Sequence, residues 1–349
     1  MSGGRDLRAL PKTDLHVHLE GAMRASTVVE LAERYAVSLP EGLRDGRYEF
    51  RDFRHFIDEW LASIACLRSR EDFRRIALEF CEDEASEGVR YAEVSVSLAD
   101  HAGRFADWDG VVESVLEGLA QGEREHGVRC RLSIDVVRGI DLELSQRAMR
   151  VAVSHRDAGV FGVGLGGEEV FPPEPYAPIF DEARDAGLHS VPHAGETAGP
   201  ASIRGALDAL GAERIGHGIR VLEDPDLVAE LRELQIPFEV CPTSNVMTKV
   251  VPSMELHPLP LLLEAGLLVT LNSDDPSMFT SPLAGEYEAC RSTFGMDDEA
   301  LAALARAGVE SSFADESTKG ELAAAIDAWL TDGDLRRSDR EPGVACRRE

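Results

Sequence analysis

Short β-rich segments alternate with longer helical patterns along most of this chain, and this alternation limits its fold more than any other feature. Each β-rich segment is followed by a helical pattern, as residues 90–95 are by residues 110–126. In such a series, the helix is what connects one parallel strand to the next. Eight units in series predict an α/β protein with a closed (β/α)8 TIM barrel rather than an open sheet. The eight predicted strands are Thr13–His18, Arg90–Ser95, Arg129–Val137, Val160–Leu165, Leu188–His193, Arg214–Gly216, Phe238–Val240 and Leu268–Leu271.

A long insertion separates the first predicted strand from the second. Between residues 39 and 70, Phe53, Phe56, Ile57 and Trp60 recur at i, i+3, i+4 and i+7, which places them on one face of a short helix. An insertion after a barrel strand lies over the mouth of the barrel, so we predict a helical lid. An ordinary helix packed into the core is the alternative that the same pattern allows.

The composition indicates one large globular domain. Of the 349 residues, 44% are apolar, which is enough for a sizeable core. Further helical patterns follow the eighth strand, so we assign residues 1–330 to a barrel domain with extra C-terminal helices. Residues 331–349 are rich in charge, and we predict a disordered tail there.

The chain is strongly acidic, with 36 basic against 64 acidic side chains and a net charge of −28. Such a surface repels phosphate backbones and anionic lipid heads, so we expect a small-molecule partner and neither nucleic acid nor a membrane. The six cysteines show no Cys-x-x-Cys spacing, and we find no signal peptide and no membrane-spanning run. We therefore expect a cytoplasmic protein, whose oligomeric state the sequence leaves open.

Two histidines in the first predicted strand form half of a metal site. Alternate residues of a strand face the same side, so His16 and His18 point together, about 7 Å apart along the chain. Imidazole suits Zn²⁺, and a catalytic zinc keeps a position open for water beside its protein ligands. The alternative is a chance pair on a half-exposed strand, so the metal site depends on ligands further along the chain.

Three later predicted strands also end in polar groups. His193 and Glu196 follow the fifth strand, His217 follows the sixth, and Asp274 and Asp275 follow the eighth. Barrel enzymes carry their catalytic residues at the carboxyl ends of strands, so these groups are predicted to meet at one rim. Taken alone, each has an ordinary alternative, such as a core histidine beside small residues.

The residue types indicate how the rim can hold a metal. His16, His18, His193 and Asp274 supply three nitrogens and one oxygen, a set suited to Zn²⁺ and tolerant of Fe²⁺ or Co²⁺. Such a metal lowers the pKa of its water toward ~7, which provides hydroxide at neutral pH. No lysine lies near residues 160–165 to bridge a second metal, as in binuclear barrel hydrolases, so we expect one Zn²⁺ per chain.

The other rim groups suit acid-base chemistry. His217, between flexible glycines, can take the proton of the water or stabilise the hydroxide. Glu196 is placed to hand a proton to a substrate. Asp275 offers a second carboxylate for hydrogen bonding, and its alternative role is to cap a helix ahead of Pro276.

In combination, these motifs resemble the adenosine deaminase family. Their order and spacing over roughly residues 10–330 are together very specific, although no single piece is. The matching pieces are TDLHVHLEG at residues 13–21, HAGE at 193–196, RIGHG at 214–218, CPTSN at 241–245 and NSDDP at 272–276.

The resemblance implies a mononuclear zinc enzyme that deaminates a 6-aminopurine nucleoside. The zinc would be held by His16, His18, His193 and Asp274, and Glu196 would protonate purine N1. Attack of hydroxide at C6 and loss of ammonia would then convert adenosine to inosine.

The same resemblance implies roles for the residues around the substrate. It implies that His217 assists the attacking water and that Asp275 hydrogen-bonds purine N7. It also implies substrate contacts from His18, from Gly167 to N3 and from Glu20 to the ribose 5′-hydroxyl.

Two departures from the family pattern fall on the sugar side of the substrate. Glu20 stands where adenosine deaminases usually carry aspartate, and residues 164–169 read GLGGEE in place of the usual DLAGDE. A longer side chain at position 20 shifts the carboxylate by over ~1 Å, enough to alter a 5′ contact. A 5′-modified adenosine such as aminodeoxyfutalosine, a menaquinone precursor, is therefore the alternative substrate. Adenine, another amidohydrolase reaction and a metal-binding protein without catalysis are weaker alternatives.

Overall fold

The computed structural model describes residues 4–44, 46 and 48–338, and it confirms the predicted (β/α)8 barrel. The strands that form the barrel wall all run parallel to one another. Those in the described part of the chain are β1 (Lys12–His18), β2 (Val89–Val96), β3 (Arg129–Val137), β4 (Val160–Gly166), β5 (His189–Ser190), β6 (His193–Ala194), β7 (Ile215–His217), β8 (Phe238–Val240) and β9 (Val269–Leu271).

The predicted fifth strand is present in two pieces, β5 and β6. Pro192 separates them, because proline has no N–H to donate to a neighbouring strand. The barrel wall continues across the break, since the Val191 N–H donates to the Val163 carbonyl (3.0 Å) and the Gly216 N–H donates to the Pro192 carbonyl (3.0 Å). The two ladders, β1 to β5 and β6 to β9, therefore belong to one wall.

The barrel closes between its first and last strands. The Asp274 N–H donates to the His16 carbonyl (2.9 Å), and the His18 N–H donates to the Asp274 carbonyl (2.8 Å). Both bonds lie at the carboxyl end of β1, directly beside the side chains predicted to bind metal. Closing the barrel therefore also brings together residues that are far apart in sequence.

Helices connect and surround the strands. Those in the described part of the chain are α1 (Ala25–Tyr35), α2 (Glu41–Arg44), α3 (Phe53–Ile64), α4 (Arg70–Ser86), α5 (Trp108–His126), α6 (Leu142–Ser154), α7 (Ala177–Asp185), α8 (Pro200–Leu210), α9 (Pro225–Leu234), α10 (Pro242–Met247), α11 (Leu259–Glu264), α12 (Leu283–Phe294), α13 (Asp298–Ser311) and α14 (Glu316–Ser338).

Strand β1 shows how the alternation of side chains serves both the core and the site. All of its residues are buried except His18, which is partly exposed. Leu15 and Val17 belong to the hydrophobic core, and helix α13 packs against β1 and β9. Because the side chains of a strand alternate between its two faces, His16 and His18 are left on the other face, inside the barrel.

The predicted lid is helix α3. Its stripe of Phe53, Phe56, Ile57 and Trp60 lines a cavity at the mouth of the barrel. Phe56 also packs on Phe279, with 5.1 Å between the ring centroids. The insertion after β1 therefore covers the mouth, and part of the same stripe is packed as core.

The C-terminal boundary of the domain differs from the prediction. Helix α14 continues to Ser338, past Thr331, so the prediction that the disordered tail begins at residue 331 is wrong for its first residues. Extending an existing helix costs little, because each added residue gains a hydrogen bond. Residues 339–349 of the predicted tail lie outside the described residues. No helix in the described part combines the length and the apolar character needed to cross a membrane.

Candidate active site

Five side chains from four strand ends meet inside the mouth of the barrel. His16 and His18 come from β1, His193 from β6, His217 from β7, and Asp274 from the residues just after β9. Nε2 of His18 lies 3.2 Å from Nε2 of His193 and 3.2 Å from Oδ1 of Asp274. The rings of His16 and His217 are 4.7 Å apart between centroids. The structure thus brings the four predicted metal ligands together and adds His217 to their cluster.

Unusual backbone conformations aim two of these side chains. His217 has φ 59° and Asp274 has φ 64°, in the left-handed region that side chains other than glycine rarely adopt. Gly216 precedes His217, and a Cβ at Gly216 would lie 2.8 Å from Cε1 of His16. Conformations of this kind concentrate at functional sites, where the surrounding structure holds them in place.

The cluster has the chemistry of a divalent metal site. Imidazole nitrogens combined with carboxylate oxygen suit zinc. Nε2 of His16 is buried and has no hydrogen-bond partner among the described residues, as expected of a nitrogen that is kept for a metal. Two overlapping groups of ligand atoms, each within 4.8 Å of one another, occur in the described part: His16, His193, His217 and Asp274, and His18, Asp274 and Asp275.

Buried acceptors fix the orientation of the two β1 histidines. His16 donates from Nδ1 to Oε2 of Glu239 at 2.9 Å, which leaves its Nε2 bare. Nδ1 of His18 lies 2.8 Å from Oγ of Ser95 and 3.2 Å from Oδ2 of Asp135. Such partners hold the ring of a metal-binding histidine and set which nitrogen faces the metal. No sequence motif singles out Glu239, Ser95 or Asp135.

Glu239 is itself held by a buried arginine. Nε of Arg214 donates to Oε1 of Glu239 at 2.6 Å, and Nη2 of Arg214 donates to Glu93. All three side chains are almost completely buried. Buried charges are tolerated when they are paired and hydrogen-bonded, so this ion network keeps the Glu239 carboxylate in place as the acceptor for His16.

A single carboxylate shapes the turn that carries Glu196. Glu169 accepts hydrogen bonds from the N–H groups of Gly195 (2.7 Å), Glu196 (2.8 Å) and Thr197 (2.7 Å), and from the Ser202 hydroxyl. Burial alone raises the pKa of Glu169, but these hydrogen bonds hold it below its usual range. Glu169 therefore stays ionised and fixes the direction of Glu196. It lies in the segment quoted for the family resemblance, but no role was predicted for it.

The predicted catalytic groups are buried and titrate far from their usual ranges. Burial and the charge of Asp274 raise the pKa of Glu196 and of Asp275 well above the usual carboxyl value. Burial lowers the pKa of His217 to about 4. These shifts favour the protonated form of the carboxyls of Glu196 and Asp275 and the neutral form of the His217 imidazole. Neutral carboxyls can donate a proton or a hydrogen bond, which ionised ones cannot.

A cavity of about 350 Å³ opens onto these groups, and its two parts differ in chemistry. The inner half is polar, and the outer half combines apolar side chains with charged ones. The inner half is lined by His18, His193, Glu196, His217, Asp274 and Asp275. The outer half is lined by the apolar side chains of Phe53, Phe56, Ile57, Leu61, Ile140 and Phe171 and by the charged side chains of Arg54, Arg138 and Glu168.

The two remaining predicted substrate contacts have different locations. Gly167 lines the cavity and has φ 92°, a conformation that suits glycine. Glu20 is absent from the described residues that line the cavity. Its Oε1 accepts hydrogen bonds from the Ser97 N–H (3.0 Å) and from Nε2 of His101 (3.1 Å). A direct contact from Glu20 to substrate stays a prediction.

Comparison with known proteins supplies the family. The family model described as adenosine deaminase matches residues 11–329. The chain belongs to the adenosine deaminase family. It is therefore a metal-dependent hydrolase that catalyses hydrolytic deamination, and the predicted family, fold and enzyme class are confirmed.

Relatives within the family differ in the substrate that their names give. An aminodeoxyfutalosine deaminase from Streptomyces coelicolor is 42% identical over 341 residues, which cover 93% of this chain and 88% of the relative. The solved structure of an adenine deaminase from Arthrobacter aurescens has a TM-score of 0.86 and 34% identity, covering 92% of this chain and 99% of its own. An amidohydrolase from Burkholderia ambifaria, solved with bound Zn, has a TM-score of 0.85 and 28% identity, covering 95% and 93%.

Proposed function

We propose that this deaminase removes the 6-amino group of a purine nucleoside, releasing ammonia and leaving the 6-oxo product. The observation that carries this proposal is the convergence of His16, His18, His193, His217 and Asp274 beside two buried carboxyls in one cavity. A protein that only bound a metal would have no need of an acid and a further histidine beside it. The family membership supports the same reaction class.

Zinc is the metal that the site fits best. We assign its ligands as His16, His18, His193 and Asp274, one zinc per chain, supported by the bare, buried Nε2 of His16 and by the solved relative with bound Zn. When bound, zinc supplies a water of lowered pKa, so that hydroxide is present near neutral pH.

The neighbouring groups of the chain are suited to handling the purine. Glu196, as a neutral carboxyl, donates a proton to N1 as the oxygen of water bonds to C6, and one proton of that water restores the Glu196 carboxyl. The other proton of the water passes to the amino group, so the C6–N bond breaks, ammonia leaves and the C6–O bond becomes a carbonyl. N7 of a purine accepts hydrogen bonds, so a neutral Asp275 serves as its donor. Oδ1 of Asp275 accepts from the indole N–H of Trp60 (3.2 Å), a bond that orients the carboxyl.

For the substrate, we propose a nucleoside with a 5′ extension that combines apolar surface with a carboxylate, of the aminodeoxyfutalosine type, ahead of adenosine. The outer half of the cavity supports this assignment, because its apolar side chains offer surface to the extension and Arg54 and Arg138, which also line the cavity, are cations suited to a carboxylate. The carboxylate of Glu20, turned to Ser97 and His101, supports it too. The name of the Streptomyces relative agrees.

The experiment is a substrate panel with the zinc-loaded protein. Ammonia release and the ultraviolet change of the purine are followed for aminodeoxyfutalosine, adenosine and adenine. We expect kcat/KM to fall in that order, with roughly ten-fold or more between the first two, since a filled apolar pocket contributes about 1–3 kcal/mol. If none of the three releases ammonia, the function is wrong. Equal kcat/KM for adenosine and the extended nucleoside would contradict only the substrate assignment.

A further inference from the structure

A chain of hydrogen bonds leads from a backbone amide in helix α11 to the catalytic groups. The Leu259 N–H donates to Nδ1 of His257 at 3.1 Å. Nε2 of His257 lies 3.1 Å from Oδ1 of Asn245, and Nδ2 of Asn245 lies 3.3 Å from both Glu196 and His217. His257 and Asn245 are buried. The chain therefore links a fixed donor to the two residues proposed for acid-base chemistry.

The backbone amide determines the proton position on His257. A backbone N–H can only donate, so Nδ1 of His257 must accept. Burial lowers the pKa of His257 to about 4, so at neutral pH the ring has one proton, which must then be on Nε2. The Nε2–H requires an acceptor, and the oxygen of the Asn245 amide is the atom that faces it.

The orientation of Asn245 follows from that donor. With its oxygen committed to His257, the amide presents its N–H₂ group to Oε1 of Glu196 and to Nδ1 of His217. Rotating the amide by half a turn would place N–H₂ against the Nε2–H of His257 and oxygen against the Glu196 carboxyl. The first of these contacts would set two donors against each other, so the network defines the amide orientation.

The remaining link is His217. Its Nδ1 faces the N–H₂ group of Asn245 and must accept, so a neutral ring has its proton on Nε2. That nitrogen points into the cluster, 3.7 Å from Oε2 of Glu196 and 3.9 Å from Oδ2 of Asp274. Both neighbouring atoms are oxygens able to accept hydrogen bonds.

We propose that Asn245 and His257 are positioning residues, which hold the proton of His217 on Nε2 and keep Glu196 oriented beside it. His217 then faces the substrate as a hydrogen-bond donor to the attacking water. An Nε2 that already has a proton cannot take another from that water. The proposal rests on the proposed function for the roles of Glu196 and His217, but the position of the proton can be observed without any substrate.

The first test is nuclear magnetic resonance of zinc-loaded protein with ¹⁵N-labelled histidine, because the ¹⁵N shift of a ring nitrogen reports whether it has a proton. The His217 signals are identified by their loss in His217→Gln. We expect a bare Nδ1 and a protonated Nε2 on His217 in the parent protein. A protonated Nδ1 there would overturn the proposal, whatever substrate the enzyme uses.

Variants of Asn245 test whether the amide sets this arrangement. Asn245→Asp keeps the shape but replaces the N–H₂ donor with a carboxylate, so the His217 proton should move to Nδ1. Asn245→Ala is the matched control, which removes the donor without adding an acceptor. We expect kcat to fall about 10²-fold or more in Asn245→Asp and less in Asn245→Ala, with KM changed only a few-fold. If Asn245→Asp keeps the parent proton position and rate, the proposal is wrong.

A second pair of variants acts one step further away, at His257. His257→Gln retains a side-chain N–H₂ for Oδ1 of Asn245, whereas His257→Glu presents an acceptor at the same distance. We expect the Gln variant to keep the parent proton position on His217 and most of the kcat, and the Glu variant to lose both. Thermal melting and zinc content show that each variant is folded and loaded. Equal behaviour of the two folded variants would contradict the proposal.

Discussion

The inner and outer halves of the cavity come from different parts of the fold. The inner half consists of side chains at strand ends, whose backbones are fixed by the barrel and whose tips are held by buried partners such as Glu239. The outer half includes helix α3, an insertion between β1 and β2. Its Leu61 is 39% exposed and Phe171 across the cavity is 45% exposed. The ends of the strands thus carry the groups proposed for catalysis, and the connecting segments carry the residues proposed to select the substrate.

Few polar contacts join the two halves. Trp60 of α3 donates its indole N–H to Asp275 in the inner half. Arg54 of α3 pairs with Glu168 on the opposite side of the mouth, and both side chains are partly exposed. Exposed ion pairs contribute little stability. The buried Arg138 also joins the two halves, because it donates to the carbonyls of Phe171 (2.7 Å) and His193 (2.6 Å). If this contrast is correct, changes to the inner half should affect every substrate, and changes to the outer half should affect substrates selectively.

Removal of the metal should have the largest effect on deamination, because every substrate depends on the catalytic groups of the inner half. After treatment with a chelator, deamination of adenine, adenosine and the extended nucleoside should all fall to background, and added Zn²⁺ should restore them together. Ammonia release and metal content are measured on the same samples. Activity that survives in protein shown to be free of metal would break the assignment of the inner half.

Glu196→Gln should have the next largest effect. Glutamine keeps the size of the side chain but has no acidic proton for purine N1, so kcat should fall about 10²–10⁴-fold for all three substrates. The matched control is Glu182→Gln, an exposed glutamate on α7, which should keep the parent rate. A loss confined to one substrate would instead place Glu196 among the residues that select the substrate.

A buried glutamate beside the inner half, Glu286, should make the free energy of unfolding depend on pH. Glu286 in α12 is fully buried and accepts from the Ser281 hydroxyl (2.6 Å) and the Thr243 N–H (3.2 Å), next to the segment that carries Asn245. Burial raises its pKa from 4.5 to about 7. Between these pH values the folded protein keeps a proton that the unfolded chain has lost, so this group makes stability fall as pH rises.

Comparison of the parent protein with Glu286→Gln isolates this effect. Between pH 4.5 and pH 7, the free energy of unfolding of the variant should increase relative to that of the parent by on the order of 3 kcal/mol. Above pH 7 the difference should level off. Denaturant unfolding at a series of pH values measures it. A difference that does not vary with pH would show that Glu286 is ionised in the folded protein throughout.

The smallest expected effect is in the outer half. Ile57→Ala removes apolar surface from the lid, so kcat/KM for the extended nucleoside should fall about ten-fold, equivalent to about 1.4 kcal/mol. For adenine, kcat/KM should change less than about two-fold, since a free base does not reach the apolar surface of the lid. Leu234→Ala, at a 58% exposed position on α9, is the matched control. Equal losses of kcat/KM for both substrates would show that the outer half does not act selectively.

The barrel and much of the site could be predicted because their signals are local. Periodicity located the eight strand-helix units, and the positions of His16, His18, His193, His217 and Asp274 at strand ends predicted the cluster that the structure contains. Other features gave no comparable local signal. Glu239, for example, sits inside an apolar β-rich run, and its partner His16 is 223 residues away in sequence.

The sequence by itself therefore determined the order of the elements, the residue types at the strand ends and the membership of the family. The tertiary structure alone decided the orientation of Glu20 toward His101, the support of His16 by Glu239 and the hydrogen-bond chain through His257 to Asn245. The physical reason is that periodicity and residue type are properties of neighbouring residues, whereas the proton on a ring nitrogen and the direction of a carboxylate depend on which distant donors and acceptors the folded barrel places beside them.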